Sequence, residues 1–305
     1  MPEIPEMQAL AERLDAALAG RPLDSYQPIG FTGLKTASPP ADDLLGRTVT
    51  GVGRRGKYDV VAFDADDEGG GLRVAFHLSQ GGRIDLESPP KTTKPRGSVV
   101  RWVFGPRADG RVADEAADEA ADAVDPGPLG VLFREHGSQR KAGWWVLGPG
   151  DDGPLADLGP DVYDPAFADL VAHGESNRRL NTWLRDQHVV AGIGRGYSDD
   201  ALNRAGISPF ATLSSLDADG RQRLLEAIRS VMDEALVTER QRTGGLSDAK
   251  LGDRFLVHRR AGEPCPRCGE TLLRVSYESY EMVYCKHCQT GGRVLADRRL
   301  SRLLR

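Results

Sequence analysis

Cysteine is scarce in this 305-residue chain: there are four, all between positions 265 and 288. That excludes a disulfide framework stapling the molecule together. Aromatic residues make up only 6%, so cores must be built mainly from leucine, valine and alanine. Long hydrophobic runs are missing, as is an amino-terminal signal segment, and the chain reads as cytosolic with no membrane partner. A basic excess is missing too. The net charge of -5 at pH 7 argues at first against a polyanionic partner.

The distribution of charge weakens that argument. Six acids and no base lie between Asp114 and Asp125; without them the remainder is close to neutral. From Arg254 to Arg305 there are eleven Lys and Arg against five Asp and Glu. The carboxyl-terminal end is therefore basic.

The first six residues, Met1-Pro2-Glu3-Ile4-Pro5-Glu6, carry the sharpest chemistry. If Met1 is removed, as a small second residue permits, the chain begins with a secondary amine beside a carboxylic acid. An α-amino group titrates at about pKa 7.7–8, so a useful fraction is an uncharged nucleophile near neutral pH. Attack on a sugar carbon at the aldehyde oxidation level gives an iminium, an electron sink for elimination. The plainer alternative is that proline and acids simply start the helix that follows.

Along the chain, Met7, Leu10, Leu14 and Leu18 recur at helical spacing before Gly20 and predict a helix over 6–19. Residues 47–62 and 72–86, then 100–104 and 143–147, read as antiparallel strands. Lys57 sits in a turn entering a strand, where an exposed hairpin lysine is the ordinary reading. The Ala, Asp, Glu, Pro and Gly stretch at about 107–128 reads as an insertion. From residue 160 the pattern turns helical, with Gly192-Ile193-Gly194-Arg195-Gly196-Tyr197 between helices. Such a turn suits a phosphate or is merely a tight junction. Residues 214–238 predict a further helix pair.

Cys265-Pro266-Arg267-Cys268 and Cys285-Lys286-His287-Cys288 are two CxxC pairs. Four thiolates at this spacing predict a closed, structural Zn²⁺ site on a β-hairpin, one ion per chain. Closure leaves no coordination position for a reacting water.

Together, the MPEIPE start, RRGKY, FHLSQGGRI, LRDQHVVAGIGRGYSDDALNRAGISP and the FLVHRRAGEPCPRCG and YCKHCQ segments resemble the formamidopyrimidine-DNA glycosylase and endonuclease VIII family over nearly the whole chain. The resemblance implies an α+β fold: an N-terminal antiparallel β-sandwich with flanking helices over 1–158, a helix-two-turn-helix domain over 159–248, and a zinc-finger β-hairpin over 249–305. It also implies a bifunctional DNA repair glycosylase and abasic-site lyase working through a Schiff base on Pro2. Glu3 would assist sugar-ring opening, Glu6 would be a second carboxylate of the pocket, and Lys57 would contact a phosphate and assist the chemistry. The expected DNA-contacting set is His77, Gln80, Arg140, Gly194, Arg195, Tyr197, Arg259 and Tyr280. The expected protein is a monomer in the nucleoid-containing cytoplasm, with damaged single- or double-stranded DNA as partner.

The departures from the family pattern fall on the DNA-gripping positions. Arg195 replaces an asparagine, Tyr280 a hairpin arginine, Asn181 a lysine and Gln80 a methionine, and 138–143 lacks the usual phenylalanine. These substitutions leave open a rival reading, a scaffold that binds damaged or branched DNA with little turnover. The extension from Gly291 interleaves leucines with Arg293, Arg298, Arg299, Arg302 and Arg305, a pattern suited to an amphipathic helix or to a solvated tail.

Overall fold

The computed structural model describes residues 1–65, 70–107, 127–136, 140–242, 254–276 and 281–295. Residues 108–126 of the acidic insertion, Tyr280 and the arginines beyond residue 295 lie outside the described residues. The chain divides into two compact units where the sequence predicts three domains. Met1–Ala156 with Glu239–Leu251 forms one, and Asp157–Thr238 with Gly252–Arg305 the other.

The first unit opens with α1 (Ile4–Leu18), on which Met7, Leu10, Leu14 and Leu18 are all buried. Each of these side chains contributes roughly 2 kcal/mol on leaving water, and their spacing by threes and fours puts them on one face. Eight strands follow: β1 (Leu23–Pro28), β2 (Val49–Arg55), β3 (Tyr58–Ala65), β4 (Gly71–His77), β5 (Gly82–Glu87), β6 (Ser98–Phe104), β7 (Leu129–Glu135) and β8 (Gly143–Leu147). They form two antiparallel sheets, β1-β6-β7-β5 and β2-β3-β4-β8. β3 shows why they stack: from Asp59 to Phe63 every second residue is buried, so one face is apolar and must be covered. Phe76 of one sheet meets Trp102 and Phe133 of the other at ring-centroid distances of 6.4 and 6.1 Å. Trp102 and Trp144 meet edge to face at 5.4 Å. The sequence reading did not anticipate β7, which follows directly on the acidic insertion.

The second unit contains α2 (Pro165–His173), α3 (Leu180–Trp183), α4 (Arg195–Ala205), most of α5 (Ala218–Gln241), the hairpin β9 (Leu273–Ser276) and β10 (Glu281–Tyr284), and α6 (Lys286–Thr290). Asp164 caps α2 by accepting the Ala166 N–H at 2.8 Å. Gly206 ends α4 in the left-handed conformation, φ +69°. The helix pair expected over 214–238 is instead a short 3₁₀ turn, Leu213–Ser215, followed by one helix of 24 residues. No described helix is long and apolar enough to cross a membrane.

Candidate active site

Strand register brings several of the expected residues to one end of the sandwich. Tyr58 pairs with His77, and His77 with Gly143; Gly82 pairs with Glu135 in the facing sheet. The Lys57 turn, the 78–81 loop, His136 and residues 140–142 therefore share that end. Gly56 and Lys57 form a two-residue hairpin, and Gly56 supplies the positive φ, +59°, that such a turn requires. Lys57 is only 5% exposed, so the ordinary reading of a solvated hairpin lysine fails.

The amino-terminal carboxylates are likewise inside. Glu3 and Glu6 are 4% and 1% exposed. The Glu3 N–H donates to Glu6 Oε2 at 2.7 Å, closing a capping box at the start of α1. The plain structural role is thus present, and it fixes the geometry: Pro2 is buried directly before the cap while Met1 is exposed.

His77 ties this end together electrostatically. Its pKa is lowered to about 4, chiefly by burial and then by the positive charges of Lys57 and the amino terminus. Lys57 and the amino terminus are therefore both close enough to act on the imidazole. At neutral pH the ring is uncharged. Its Nδ1 accepts the Ser79 N–H at 3.3 Å, which leaves the proton on Nε2 as a donor. Because the unfolded chain binds this proton near pH 6.5 and the folded chain only near 4, stability falls as pH drops through that window. Replacing His77 with Asn should remove on the order of 2 kcal/mol of this acid sensitivity. Urea unfolding at pH 7 and pH 4.5, followed by tryptophan fluorescence, checks it; equal losses in both proteins refute it.

The loops at this end are tightly framed. The Gly82 N–H donates to Leu78 O at 2.7 Å, and the His136 N–H to Gly81 O at 2.8 Å. A Cβ on Gly81 would stand 1.9 Å from His136 O. Gln80 is consequently displayed, exposed, at the tip of a tight turn. Buried Glu135 accepts the N–H groups of Lys141 and Ala142 at 2.8 and 3.1 Å, which fixes the segment carrying exposed Arg140. Asp59, absent from the predicted set, lies on the inner face of β3 with neither oxygen hydrogen-bonded. Burial raises its pKa well above the usual carboxylate range, with the charge of Arg54 opposing the rise.

In the second unit the glycine-rich turn is built by Gln187. Its side chain accepts the Gly192 N–H at 2.9 Å and donates to Ile193 O at 2.8 Å, and Gly192 takes φ +104°. Gly194 is the N-cap of α4, and Arg195, the first helical residue, is exposed. Tyr197 requires a correction. It is 1% exposed and packs edge-on against Phe255 at 5.1 Å, so its ring is core and supports the turn rather than reaching a ligand. Gly196 makes room for the Phe255 ring, since a Cβ there would lie 2.1 Å from it. Asn181 is also interior, 1% exposed and donating to Asp199 Oδ1 at 3.0 Å. Arg259 is exposed with φ +64°, a left-handed conformation that costs an arginine about 1 kcal/mol.

Two adjacent acids that the sequence reading passed over organise this unit. Asp200 accepts the N–H groups of Leu256, Val257 and His258 at 2.8, 2.9 and 3.2 Å. Asp199 accepts from His258 Nδ1 at 2.7 Å and from the Val283 N–H at 3.1 Å. Burial pushes the Asp199 pKa up to about 6, with His258 opposing the rise. Replacing Asp200 with Ala would leave buried N–H groups unpaired, with an expected loss of about 3 kcal/mol in chemical denaturation. A loss within about 0.5 kcal/mol, the range of ordinary surface changes, would refute that role.

The four cysteines converge, their sulfurs all lying within 4.8 Å of one another. A tetrahedral Zn²⁺ centre with bonds of about 2.3 Å has sulfur–sulfur edges of about 3.8 Å, so the set fits. Cys268 and Cys285 Sγ stand 3.5 Å apart. Surrounding donors already point at the sulfurs: the Cys288 N–H lies 3.5 Å from Cys285 Sγ and Asn203 Nδ2 3.9 Å from Cys265 Sγ. Gln289 holds the second knuckle to α4 and its exit by accepting from Asn203 at 3.1 Å and donating to Ile207 O at 2.9 Å.

The profile of the formamidopyrimidine-DNA glycosylase N-terminal domain matches residues 1–116, and that of the H2TH domain of the same enzymes matches residues 158–245. A formamidopyrimidine-DNA glycosylase of Azorhizobium caulinodans is 32% identical over 324 aligned positions, covering 95% of this chain and all of the relative. An uncharacterized formamidopyrimidine-DNA glycosylase-like protein of Mycobacterium tuberculosis is 42% identical over 149 residues, 48% of this chain and 94% of that one. Among solved structures, the Lactococcus lactis enzyme in complex with abasic-site DNA superposes with TM-score 0.72 at 20% identity, covering 94% of this chain and 99% of that one. MutM bound to DNA containing carbocyclic 8-oxo-G gives 0.72 at 20%, covering 95% and 100%. The two profiles meet the β-sandwich and the glycine turn in the order the fold places them, and the identity to the Azorhizobium protein runs from end to end: the chain belongs to the formamidopyrimidine-DNA glycosylase family of DNA repair enzymes.

Proposed function

We propose that this protein is a DNA glycosylase with abasic-site lyase activity, acting on damaged DNA through the secondary amine of Pro2. The observation that carries the reading is the crowding of the amino terminus, buried Glu3 and Glu6, buried Lys57 and a neutral His77 at one end of the sandwich. Burying acids and a lysine costs several kcal/mol unless they are mutually compensated, and a core has no use for them.

The chemistry follows from these groups. With Met1 removed, the Pro2 nitrogen attacks C1′ of an extruded nucleotide, the bond from C1′ to the base breaks, and the proton lost from the amine passes to the departing base. Glu3 donates its proton to the ring oxygen as the sugar opens, leaving an iminium between Pro2 and C1′. The iminium acidifies C2′–H. Loss of that proton expels the 3′ phosphate, and a second elimination expels the 5′ phosphate. Water then returns the amine. Lys57 and the His77 Nε2–H supply positive charge and a neutral donor for the flanking phosphates. Cys265, Cys268, Cys285 and Cys288 would hold one Zn²⁺, which supplies structure alone because four thiolates close its coordination sphere. Extrusion costs a few kcal/mol, least where the base is already missing or mispaired.

Borohydride reduction in the presence of an oligonucleotide with a single abasic site tests the reading. The expected result is a covalent adduct with wild-type protein and none with a form that keeps Met1 in front of Pro2. Tight binding without an adduct would overturn the enzymatic reading in favour of a damage-binding scaffold.

A further inference from the structure

Phe31 is the most exposed large apolar residue among those described, with a relative exposure of 106%. A single exposed hydrophobic residue needs no explanation on a soluble protein. What distinguishes this one is its frame. The Gly33 N–H donates to Gly30 O at 3.1 Å, so residues 30–33 form a β-turn with Phe31 and Thr32 in the two central positions. On one side the Ile29 and Gly30 N–H groups both donate to Val99 O at 2.9 Å. On the other, the Trp144 N–H donates to Gly33 O and the Lys35 N–H to Trp144 O, each at 2.9 Å. Gly33 is pressed so close that a Cβ would stand 2.4 Å from Val99 Cγ1. The Lys35 ammonium folds back onto Thr32 O. The ring is thus held out in water by a turn anchored to both sheets, rather than left there by a loose loop.

The turn also stands at the end of the sandwich that carries the candidate site. Leu34 runs beside Trp144, and Gly143, the residue before it, pairs with His77. Two strand spacings, roughly 10 Å, separate the chain at Leu34, just beyond the turn, from the strand that carries His77. A nucleotide drawn out towards the amino terminus leaves a gap in its stack about one base thick, and a flat apolar ring on a rigid mount at that distance suits the gap.

We propose that Phe31 is a DNA-contacting residue that stacks on the bases exposed when the target nucleotide is extruded. The proposal rests on the glycosylase reading above and adds to it the side chain that stabilises the extruded state. Equilibrium binding of the full chain to two duplexes separates the two ideas: one carries a tetrahydrofuran abasic analogue, the other is identical but undamaged. Wild-type protein should prefer the abasic duplex. Phe31→Ala should lose about tenfold in affinity for that duplex and keep its affinity for the undamaged one, which phosphate contacts dominate. Phe31→Trp should retain the preference and show indole quenching on binding beyond that of wild type. If wild type shows the preference and Phe31→Ala keeps it in full, or weakens both duplexes equally, the assignment of Phe31 is overturned while the glycosylase reading stands. If wild type shows no preference, both fall.

Discussion

Leaving one residue in front of Pro2 should abolish strand cleavage at an abasic site, a loss of at least about 10³-fold, while binding of the same oligonucleotide changes little. The reason is electronic. A proline nitrogen inside a peptide bond is an amide whose lone pair is delocalised into the carbonyl, and it cannot form an iminium. The structure makes the substitution clean: Met1 is 44% exposed, so an extension there projects outward without disturbing the buried Glu3 and Glu6 or the start of α1. Single-turnover cleavage by a form with Met1 retained is compared with that by a form whose mass shows Met1 removed. Equal rates would exclude Pro2 as the nucleophile and shift attention to Lys57, a buried amine at this end of the sandwich. Pro2→Gly differs in kind, since it replaces the secondary amine with a primary one of similar pKa. Some residual lyase activity in that variant, alongside none in the extended form, would show that the amine matters more than the ring.

How far the sequence foretells this arrangement depends on the distance over which each interaction acts. The first helix is legible because Met7, Leu10, Leu14 and Leu18 repeat within one element, and all four are buried. The hairpin at Lys57 is legible from Gly56, but the burial of Lys57 is not, because the strands that carry His77 and Gly143 at this end lie 20 and 86 residues further along. β7 escapes because Leu129-Gly130-Val131-Leu132-Phe133 has no alternation and follows a long polar stretch. Both of its faces are covered, so the pattern of a half-exposed strand never develops. The 214–238 segment loses its expected break for a related reason: Ser214 and Ser215 form a 3₁₀ turn, and from Ala218 nothing interrupts the helix.

The misread residues are those whose partners lie far away in sequence. Tyr197 follows a glycine turn and looks available to a ligand, yet Phe255 covers it and Gly196 leaves the space for Phe255 to do so. Asp199 and Asp200 carry no local signal within a polar helix and are passed over rather than misread. They are 2% and 1% exposed because residues 256–258 and Val283 bring their N–H groups to them. The four cysteines, by contrast, are legible in full, since a short CxxC turn fixes each pair locally and only the joining of the pairs needs the fold.

That junction is where the second large effect is expected. Replacing Cys285 with Ser should abolish the Zn²⁺ binding proposed for the four cysteines and unfold the β9–β10 hairpin, with the sandwich left intact. Apparent zinc-binding energies of roughly 10–16 kcal/mol per structural site are folding energy for so small an element. The hairpin itself has four residues in each strand, too few to persist without staples. The two thiolates of the second knuckle sit at the start of α6, where Gln289 accepts the Cys285 N–H at 2.8 Å; losing the metal frees that helix and with it the donors from Asn203. The Asp199 carboxylate then loses the Val283 N–H and keeps only His258 and Asn181 as partners. Amide exchange should therefore accelerate through Leu273–Ser276 and Glu281–Tyr284, more weakly through α4, and not through β3 or β6. Zinc content should fall from one per chain to near zero. Affinity for abasic DNA should drop at least tenfold, since the basic finger no longer presents its arginines in a fixed place. Unchanged exchange across the hairpin in the zinc-free variant would mean that the cysteines are not what holds it.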